Sequence, residues 1–419
     1  MNSRRDVLKA AAVSLALTPT LASLAAPILA RKSLRILILG GTGFLGPAVV
    51  DAALKRGHSL TLFNRGRREK LVGAPDRTEK LYGNRDPDKH AQTTTIDGKE
   101  ADDTASPKGL DELKGKSWDA VVDTSGYVPR IVNASASLLA QSVAQYVFIS
   151  TLSVYARNDR PGLDESDELA PIADPSVESM GARFENYGPL KALCEQAAEK
   201  AMPGRVTNIR PGYIVGPLDT TDRFTYWPVR VSKGGNVLVP GAPDDPFQFI
   251  DVRDLADFII RCIENKTVGV FNATGPTPPA SNASLMAACL DASKSLGLAK
   301  DATFTYAAYE TLAPLGAPPG TFPILLPAQG DYAGFHRRSI AKASAAGLTH
   351  RPPADTCKAI LEWWPKALEL RAKVDAQLRE EAAAKGRPAP PPLPANPLRA
   401  GPTQDDETRW LAALAKDQR

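Results

Sequence analysis

From Leu34 onward, short apolar runs rich in β-branched residues alternate with amphipathic stretches of helical length. Such runs are typical of strands buried on both faces, and the alternation predicts a parallel sheet with helices on its two sides. The predicted strands are LRILILG, SLTLFNR, EKLYGN, DAVVDTSG, QYVFIST and RVTNIRPG. The pattern therefore predicts an α/β fold with a doubly wound parallel sheet.

Beyond residue 217 the alternation is less regular. Ligands of open α/β folds bind at the carboxyl edge of the sheet, so we expect this part to form a smaller substrate lobe over that edge. The last stretch combines a helical segment, the proline-rich RPAPPPLPANP and a short amphipathic helix that could dock on the fold. We interpret the polar segment 85–108 as a surface insertion without chemistry. The predicted parts are residues 1–30, 31–217, 218–355 and 356–419.

The N-terminus has the features of an export signal. Arg4 and Arg5 precede an alanine-rich apolar stretch that Pro19 interrupts, and small residues follow. Residues 1–30 resemble a twin-arginine (Tat) signal peptide, which implies the Tat machinery as a partner and a periplasmic location. The alternative is a basic helix of a cytoplasmic protein. The stretch is too short and broken for a stable membrane span.

Composition excludes some classes of partner. Hydrophobic residues make up 43% and charged residues 23% of the chain, as in a soluble globular protein. The formal net charge of +4 is too small to indicate nucleic-acid binding. The four cysteines form no CxxC pair, and no metal site is predicted. We expect the cysteines to be buried packing residues, with a disulfide as the alternative in an oxidising compartment.

A glycine-rich loop, GGTGFLG, follows the first predicted strand and precedes a predicted helix. Gly41, Gly43 and Gly46 satisfy G-x-G-x-x-G. The missing side chains let backbone N–H groups approach a pyrophosphate while the N-terminus of the helix faces the anion. The predicted dinucleotide contacts in this loop are Gly40, Gly41, Thr42, Gly43, Phe44, Leu45 and Gly46.

The second predicted strand ends in FNRGRR, without the carboxylate that binds the ribose hydroxyl of NAD. Asn64, Arg65 and Arg67 offer partners to a 2′-phosphate instead. The pattern favours NADP over NAD, and the alternative is a solvated basic turn.

The segment YGPLK places Tyr187 and Lys191 one helical turn apart on a predicted helix. A nearby ammonium stabilises tyrosinate, so we expect a lowered phenol pKa and a usable general acid/base at Tyr187. The segment FISTLSVY places hydroxyl residues at the end of a predicted strand, at the same edge of the sheet.

With RPGYIVGP and FIDVRDLADFI, these motifs follow the order found in extended short-chain dehydrogenase/reductases, and the chain resembles their NAD-dependent epimerase/dehydratase branch over about residues 34–350. The resemblance implies a Rossmann-type domain in 31–217. It implies that Tyr187 is the general acid/base, that Lys191 lowers its pKa and holds the nicotinamide ribose, and that Thr151 bonds the reacting oxygen. Asn84 replaces an acidic residue common in the family. Further implied cofactor-side positions are Asp123, Thr124, Ser125, Arg210, Pro211, Gly212 and Tyr213.

Substrate contacts are expected in DTTDRFTYWPVR, which follows the last of the cofactor motifs. Arg223, Tyr226 and Trp227 could offer a cation and stacking faces to a sugar or aromatic ring, and Ser153 is a further candidate. The alternative for this segment is core packing. The basic residues of GFHRRSI are interpreted as a solvated surface.

Export limits the chemistry, because little free NAD(P)H is present outside the cytoplasm. The first hypothesis is therefore an oxidoreductase that retains its cofactor tightly and returns the hydride to the same sugar-like substrate, as epimerases and dehydratases do. The alternatives are an ordinary NADP-dependent reductase or dehydrogenase, and a non-catalytic RNA-binding protein, since TLFNRGR also resembles the chloroplast stem-loop RNA-binding group. The resemblance also allows a homodimer.

Overall fold

The apolar runs form the central sheet of this computed structural model. Its strands are β1 (Arg35–Leu39), β2 (Ser59–Asn64), β3 (Thr78–Tyr82), β6 (Trp118–Asp123), β7 (Val143–Ile149), β8 (Val206–Pro211) and β13 (Gly269–Ala273). All pair in parallel, in the order β13-β8-β7-β6-β1-β2-β3. Because the chain leaves β1 toward β2 and later returns to β6 on its other side, a crevice opens at the carboxyl end of β1, where open α/β sheets bind ligands.

Helices cover both faces of this sheet. They are α1 (Leu45–Lys55), α2 (Pro129–Leu139), α3 (Tyr187–Ala201) and α5 (Val252–Glu264). Ile36 and Ile38 pack into the core beneath α1 and α5, whereas Leu37 and Leu39 pack on the side of α2 and α3. Both faces of each central strand are thus buried, which explains its continuous apolar run. The predicted doubly wound α/β fold is confirmed.

The remaining elements comprise the smaller lobe, the C-terminal extension and short elements beside the central sheet, such as an antiparallel pair of strands between β3 and β6. The strands are β4 (Thr94–Ile96), β5 (Lys99–Ala101), β9 (Ile214–Val215), β10 (Gly235–Pro240), β11 (Pro246–Phe247), β12 (Ile250–Asp251), β14 (Ala280–Ser281) and β15 (Ala302–Ala307). The helices are α4 (Tyr226–Ser232), α6 (Asn282–Ser295), α7 (Tyr309–Leu312), α8 (Ala341–Ala345), α9 (Pro353–Ala384) and α10 (Gln404–Asp417). An aromatic cluster that includes Trp227, Phe247, Phe322 and Trp410 forms the core of this lobe.

The final helix, α10, docks on the lobe as the sequence predicts. Glu407 is buried and accepts hydrogen bonds from Arg230 Nε at 2.5 Å and from the Leu238 amide at 2.9 Å. The indole of Trp410 donates to the Leu315 carbonyl at 2.8 Å. The last part of the chain is therefore integrated into the core of the lobe.

A second contact links this C-terminal extension to the loop before α4. The buried carboxylate of Asp222 accepts two hydrogen bonds from Arg371 of α9, at 2.5 and 2.9 Å, and one from the Arg399 amide at 2.9 Å. Arg399 also donates to the Thr220 carbonyl at 3.1 Å. The extension thus holds the loop that carries Arg223.

The structure describes residues 32–66, 77–92, 94–96, 99–101, 104–298, 300–384, 388–389, 391, 393 and 397–417. The predicted export signal and Arg67 lie outside these residues. Among them, no helix has both the length and the apolar character needed to cross a membrane. The four cysteines are buried thiols, as expected, with 3.6 Å between the sulfurs of Cys289 and Cys357.

Candidate functional site

The glycine-rich loop turns tightly between β1 and α1. Gly40 has φ of +95°, a conformation that side chains disfavour, and the first residues of α1 after the loop lie at the crevice. A Cβ on Gly46 would lie 2.5 Å from the carbonyl carbon of Gly41, so α1 can approach the loop this closely only without that side chain. Five loop residues line a cavity of about 680 Å³, namely Gly40, Thr42, Gly43, Phe44 and Leu45.

Gly46→Ala should therefore weaken dinucleotide binding. The added methyl group must push α1 away from the loop, which misaligns the backbone N–H groups that face the cavity. We expect at least a tenfold rise in the Kd for NADPH, about 1.4 kcal/mol, measured by fluorescence titration. Asp51→Ala, on the exposed face of α1, is the matched control and should bind normally. An unchanged Kd in Gly46→Ala would contradict this account of the loop.

Three further strand ends form the walls of the cavity. Asn64 ends β2 and Arg65 follows it, Thr124 and Ser125 follow β6, and a short segment after β3 contributes Asn84, Arg85 and Asp86. The side-chain amide of Asn84 donates to the His90 carbonyl at 2.9 Å and accepts from the Asp86 amide at 3.1 Å. Both of its polar atoms therefore make hydrogen bonds within this segment.

The segment after β3 corrects the interpretation of residues 85–108 as an insertion without chemistry. Arg85 lines the cavity and makes a two-pronged ion pair with Asp123 at 2.5 and 2.7 Å. A charged residue three positions after the end of a parallel strand was the available signal, because such positions lie at the carboxyl edge of the sheet. The polar composition of the rest of the segment obscured that signal.

Asp123 is not part of the cavity lining. Its carboxylate is fully buried and accepts hydrogen bonds from Arg85, from the Tyr146 hydroxyl at 2.7 Å and from the Ser125 amide at 3.0 Å. Burial raises the pKa of Asp123, but Arg85 and these hydrogen bonds outweigh it, so the pKa lies below its ordinary value. Asp123 therefore lies behind the cavity wall and holds two residues that line it, Arg85 and Ser125, in position.

Pro211 and Gly212 also stand outside the lining, although the family resemblance implied cofactor contacts for both. Pro211 is the last residue of β8 and is buried, and a Cβ on Gly212 would collide with the Thr274 hydroxyl. The strand end is packed against the chain after β13, and Ile214 reaches the cavity instead.

Two buried polar atoms of the lining have no hydrogen-bond partner in the described chain. They are the hydroxyl of Ser150 and Nε of Arg85. Buried polar atoms are nearly always paired, so unpaired ones in a cavity suit a polar ligand. Together with the glycine loop, they make the cavity fit a dinucleotide.

Tyr187 and Lys191 line the same cavity from the first turns of α3. Lys191 is buried, and its ammonium donates to the Gly126 and Ile149 carbonyls, each at 2.6 Å. These bonds occupy two of three N–H donors and leave one for a group in the cavity. Burial lowers the pKa of Lys191 to about 8.

The environment of Tyr187 differs from the expected one. Burial raises the pKa of its phenol, and although a hydrogen bond with Thr151 and the charge of Arg223 oppose this, the pKa lies above its ordinary value. The predicted lowering of this pKa by Lys191 is not found, because burial of the phenol dominates and Lys191 is not among the groups that oppose it. Tyr187 is therefore protonated at neutral pH, and Thr151 is its hydroxyl neighbour.

The predicted substrate residues separate into two groups. Arg223 and Ser153 are exposed. The charge of Arg223 lowers the pKa of the Tyr187 phenol, which places Arg223 near it. Ser153 accepts a hydrogen bond from the Thr151 hydroxyl at 3.2 Å. Tyr226 and Trp227 are buried in the lobe, and the Trp227 indole donates to the Pro323 carbonyl at 3.0 Å. For these two, core packing replaces the predicted stacking on a substrate.

The basic residues of GFHRRSI are also not the solvated surface that we expected. His336 and Arg338 are buried. The Arg338 guanidinium lies 3.8 Å from the centre of the Tyr155 ring and donates to the Arg157 carbonyl at 2.7 Å. Arg338 thus attaches the long segment after β7 to the lobe, whereas His336 bonds to the Gln248 amide and the Ile324 carbonyl within the lobe.

A Rossmann-type sheet, a glycine-rich loop on a dinucleotide-sized cavity, and a tyrosine and a lysine one turn apart define the class of short-chain dehydrogenase/reductase-like proteins. Within this class, the model of the NAD dependent epimerase/dehydratase family matches residues 36–273. The chain belongs to that family.

Two relatives have related sequences. The chloroplast stem-loop binding protein of 41 kDa b from Arabidopsis thaliana is 26% identical over 245 residues, which are 58% of this chain and 58% of the plant protein. The epimerase family protein SDR39U1 from Bos taurus is 25% identical over 262 residues, 60% of this chain and 77% of the bovine protein. The chain thus spans less than two thirds of the length of the plant relative.

Solved structures share the fold at lower identity. UDP-glucuronic acid 4-epimerase from Bacillus cereus, in complex with NAD, has a TM-score of 0.52 at 15% identity and covers 78% of this chain and 96% of its own. The enzyme WbmG from Bordetella bronchiseptica, with NAD and UDP, has a TM-score of 0.54 at 17% identity, with coverages of 81% and 96%. Human SDR39U1 (isoform 2) with NADPH has a TM-score of 0.50 at 20% identity, with coverages of 78% and 99%.

Proposed function

We propose that the protein is an NAD(P)-dependent oxidoreductase of the epimerase/dehydratase kind, acting on a secondary alcohol or carbonyl of a sugar-like substrate. The observation that carries this proposal is that Tyr187, Lys191 and the glycine-rich loop line one continuous cavity. A dinucleotide lying with its pyrophosphate on the loop extends toward α3, where a protonated phenol can exchange a proton with a substrate oxygen.

In the proposed reaction, a bound nicotinamide supplies the site for hydride transfer from and to the substrate carbon. On reduction, the protonated phenol of Tyr187 gives its proton to the carbonyl oxygen of the substrate, and the resulting phenolate takes a proton back when the hydroxyl group is oxidised. The Thr151 hydroxyl bonds the reacting oxygen and keeps the phenol oriented. Lys191, held by two carbonyls, directs its third N–H to the cofactor ribose.

The choice and the retention of the cofactor extend this proposal. Arg65 lines the cavity at the end of β2, where the sequence FNRGRR offers no carboxylate to the ribose, so NADP is favoured over NAD. We further propose that the protein binds its cofactor before export and keeps it through a redox-neutral cycle. This cycle is required only if residues 1–30 act as a Tat signal.

The test is to identify what the purified protein carries. The native protein should release NADP or NAD on denaturation, detected by mass spectrometry. A survey of sugars and glycosides should then reveal one that changes the absorbance of the bound nicotinamide without added cofactor. A protein that binds no dinucleotide would refute the proposal, and one that consumes free NADPH at each turnover would be an ordinary reductase. A reporter fused to residues 1–30 tests export.

The similarity to the chloroplast stem-loop binding protein supports a second candidate, a protein that binds stem-loop RNA. The formal net charge of +4 over the whole chain supplies little of the phosphate attraction that such binding needs. RNA affinity at physiological salt is therefore expected to be weak. Submicromolar binding of a stem-loop, together with failure to bind any dinucleotide, would favour this candidate.

A further inference from the structure

One guanidinium joins three carboxylates beside the cofactor cavity. Arg130, in the first turn of α2, donates to Asp86 at 3.0 and 3.1 Å, to Asp88 at 3.1 Å, and to Glu178 at 2.7 and 3.2 Å. All three N–H-bearing nitrogens of the side chain are used. We call Arg130, Asp86, Asp88 and Glu178 the Arg130 cluster.

The cluster connects parts of the chain that the sheet keeps apart. Asp86 and Asp88 follow β3 at one edge of the sheet, whereas Arg130 belongs to the helix after β6, and β1 and β2 lie between these strands. The contact therefore passes across the carboxyl ends of β1 and β2. A dinucleotide on the glycine loop lies over those same ends.

The residues next to the cluster line the cavity from both sides. Asp86 lines it on the β3 side, and Val128 and Ile131, which flank Arg130, line it on the α2 side. The Arg130–Asp86 contact therefore holds these walls together, in addition to the buried ion pair of Arg85 and Asp123.

Glu178 brings in a third part of the chain. It belongs to the long segment between β7 and α3, which leads to Tyr187. The other end of this segment is attached to the lobe, since the Gly162 amide donates to the Arg337 carbonyl at 2.9 Å and the Ser339 amide to the Leu163 carbonyl at 3.0 Å. Arg130 thus couples the cofactor wall to the segment that positions the catalytic helix.

We propose that the Arg130 cluster is a clasp that slows release of the dinucleotide, with Arg130 as a positioning residue that acts through Asp86 and Glu178. This inference rests on the proposed function, because it requires that the cavity binds a dinucleotide. It supplies a physical means for the retention that an exported enzyme of this kind needs.

The expected effect is moderate, because the Arg130 side chain is 43% exposed and its ion pairs are screened by water and salt. Several charge-assisted bonds must nevertheless break together for the walls to part. We expect Arg130→Met to release NADPH about five- to tenfold faster than the native protein. Raising the salt concentration should speed release from the native protein and change that of Arg130→Met much less.

The experiment loads the full chain with NADPH and follows the loss of its fluorescence when excess NADP displaces it. Arg56→Met is the matched control, since Arg56 also pairs with two carboxylates, Asp257 and Glu264, but lies at the end of α1 remote from the glycine loop. Its release rate should equal that of the native protein. Arg130→Lys keeps the positive charge but lacks the planar guanidinium that binds several carboxylates at once, and it should give an intermediate rate of NADPH release.

Glu178→Gln keeps the proposal testable if Arg130→Met does not fold. It removes one carboxylate outside the cavity and should speed release about twofold or more. Native release rates in folded Arg130→Met, or in Glu178→Gln, would overturn the clasp but leave the proposed function intact. If the native protein binds neither NADPH nor NADH, the clasp and the proposed function are both overturned.

Discussion

Tyr187→Phe is expected to reduce turnover by roughly 10²–10⁴-fold, the usual contribution of a positioned acid/base group. The variant keeps the ring at its place beside Tyr127 and removes only the hydroxyl that exchanges the proton. Cofactor binding should change little, because the glycine loop and Lys191 are untouched. The measurement is the single-turnover change in nicotinamide absorbance with the substrate found in the survey.

Tyr226→Phe is the matched control for this variant. Its hydroxyl is buried without a partner among the described residues, so its loss should cost neither activity nor stability. Turnover by Tyr187→Phe at the native rate would show that another group transfers the proton.

Asp123→Asn should lower the free energy of unfolding by about 3–5 kcal/mol, because it leaves the guanidinium of Arg85 without its buried counter-charge. Asp119→Asn is the matched control. Asp119 lies on the same strand, β6, but at its more accessible end, where its carboxylate accepts one bond from the Arg35 amide at 2.7 Å. Denaturant unfolding of both variants gives the comparison, and equal stabilities of Asp123→Asn and the native protein would contradict the buried pair.

The pH dependence of stability tests the same pair. The pKa of Asp123 in the folded protein lies below its ordinary value. Its stabilisation is therefore complete above the ordinary aspartate pKa and is lost as the pH falls through the folded value. The stability gap between native protein and Asp123→Asn should consequently narrow in acid. A gap that stays constant down to the folded pKa would assign the effect to packing instead.

The sequence predicted the sheet well because each central strand is buried on both faces and so has an unbroken apolar run. It also predicted the loop at Gly40–Gly46 and the shared location of Tyr187 and Lys191, since strand ends and helix periodicity determine these positions. The surroundings of each group were harder to predict from the sequence. The pattern alone could not show that Lys191 donates to two carbonyls, or that Asp123 turns toward Arg85.

The substrate lobe was predicted least well, for a related reason. Trp227 and Arg223 are close in the sequence, and local chemistry suits both for binding a ligand. Whether each side chain is buried or exposed depends on contacts with distant parts of the chain, such as the Pro323 carbonyl that accepts a hydrogen bond from Trp227. Such contacts have no signature within a short window of sequence.

Asp222 has a consequence for how this protein can vary. Its carboxylate joins the loop that carries Arg223 to Arg371 and Arg399. A change of specificity that rebuilt this loop would leave Arg371 without its carboxylate partner, and a shortened C-terminal extension would leave the buried carboxylate of Asp222 without the charge of Arg371 and the amide of Arg399. The loop and the C-terminal extension therefore depend on each other. A chimera that exchanges one of them with a relative must exchange the other as well.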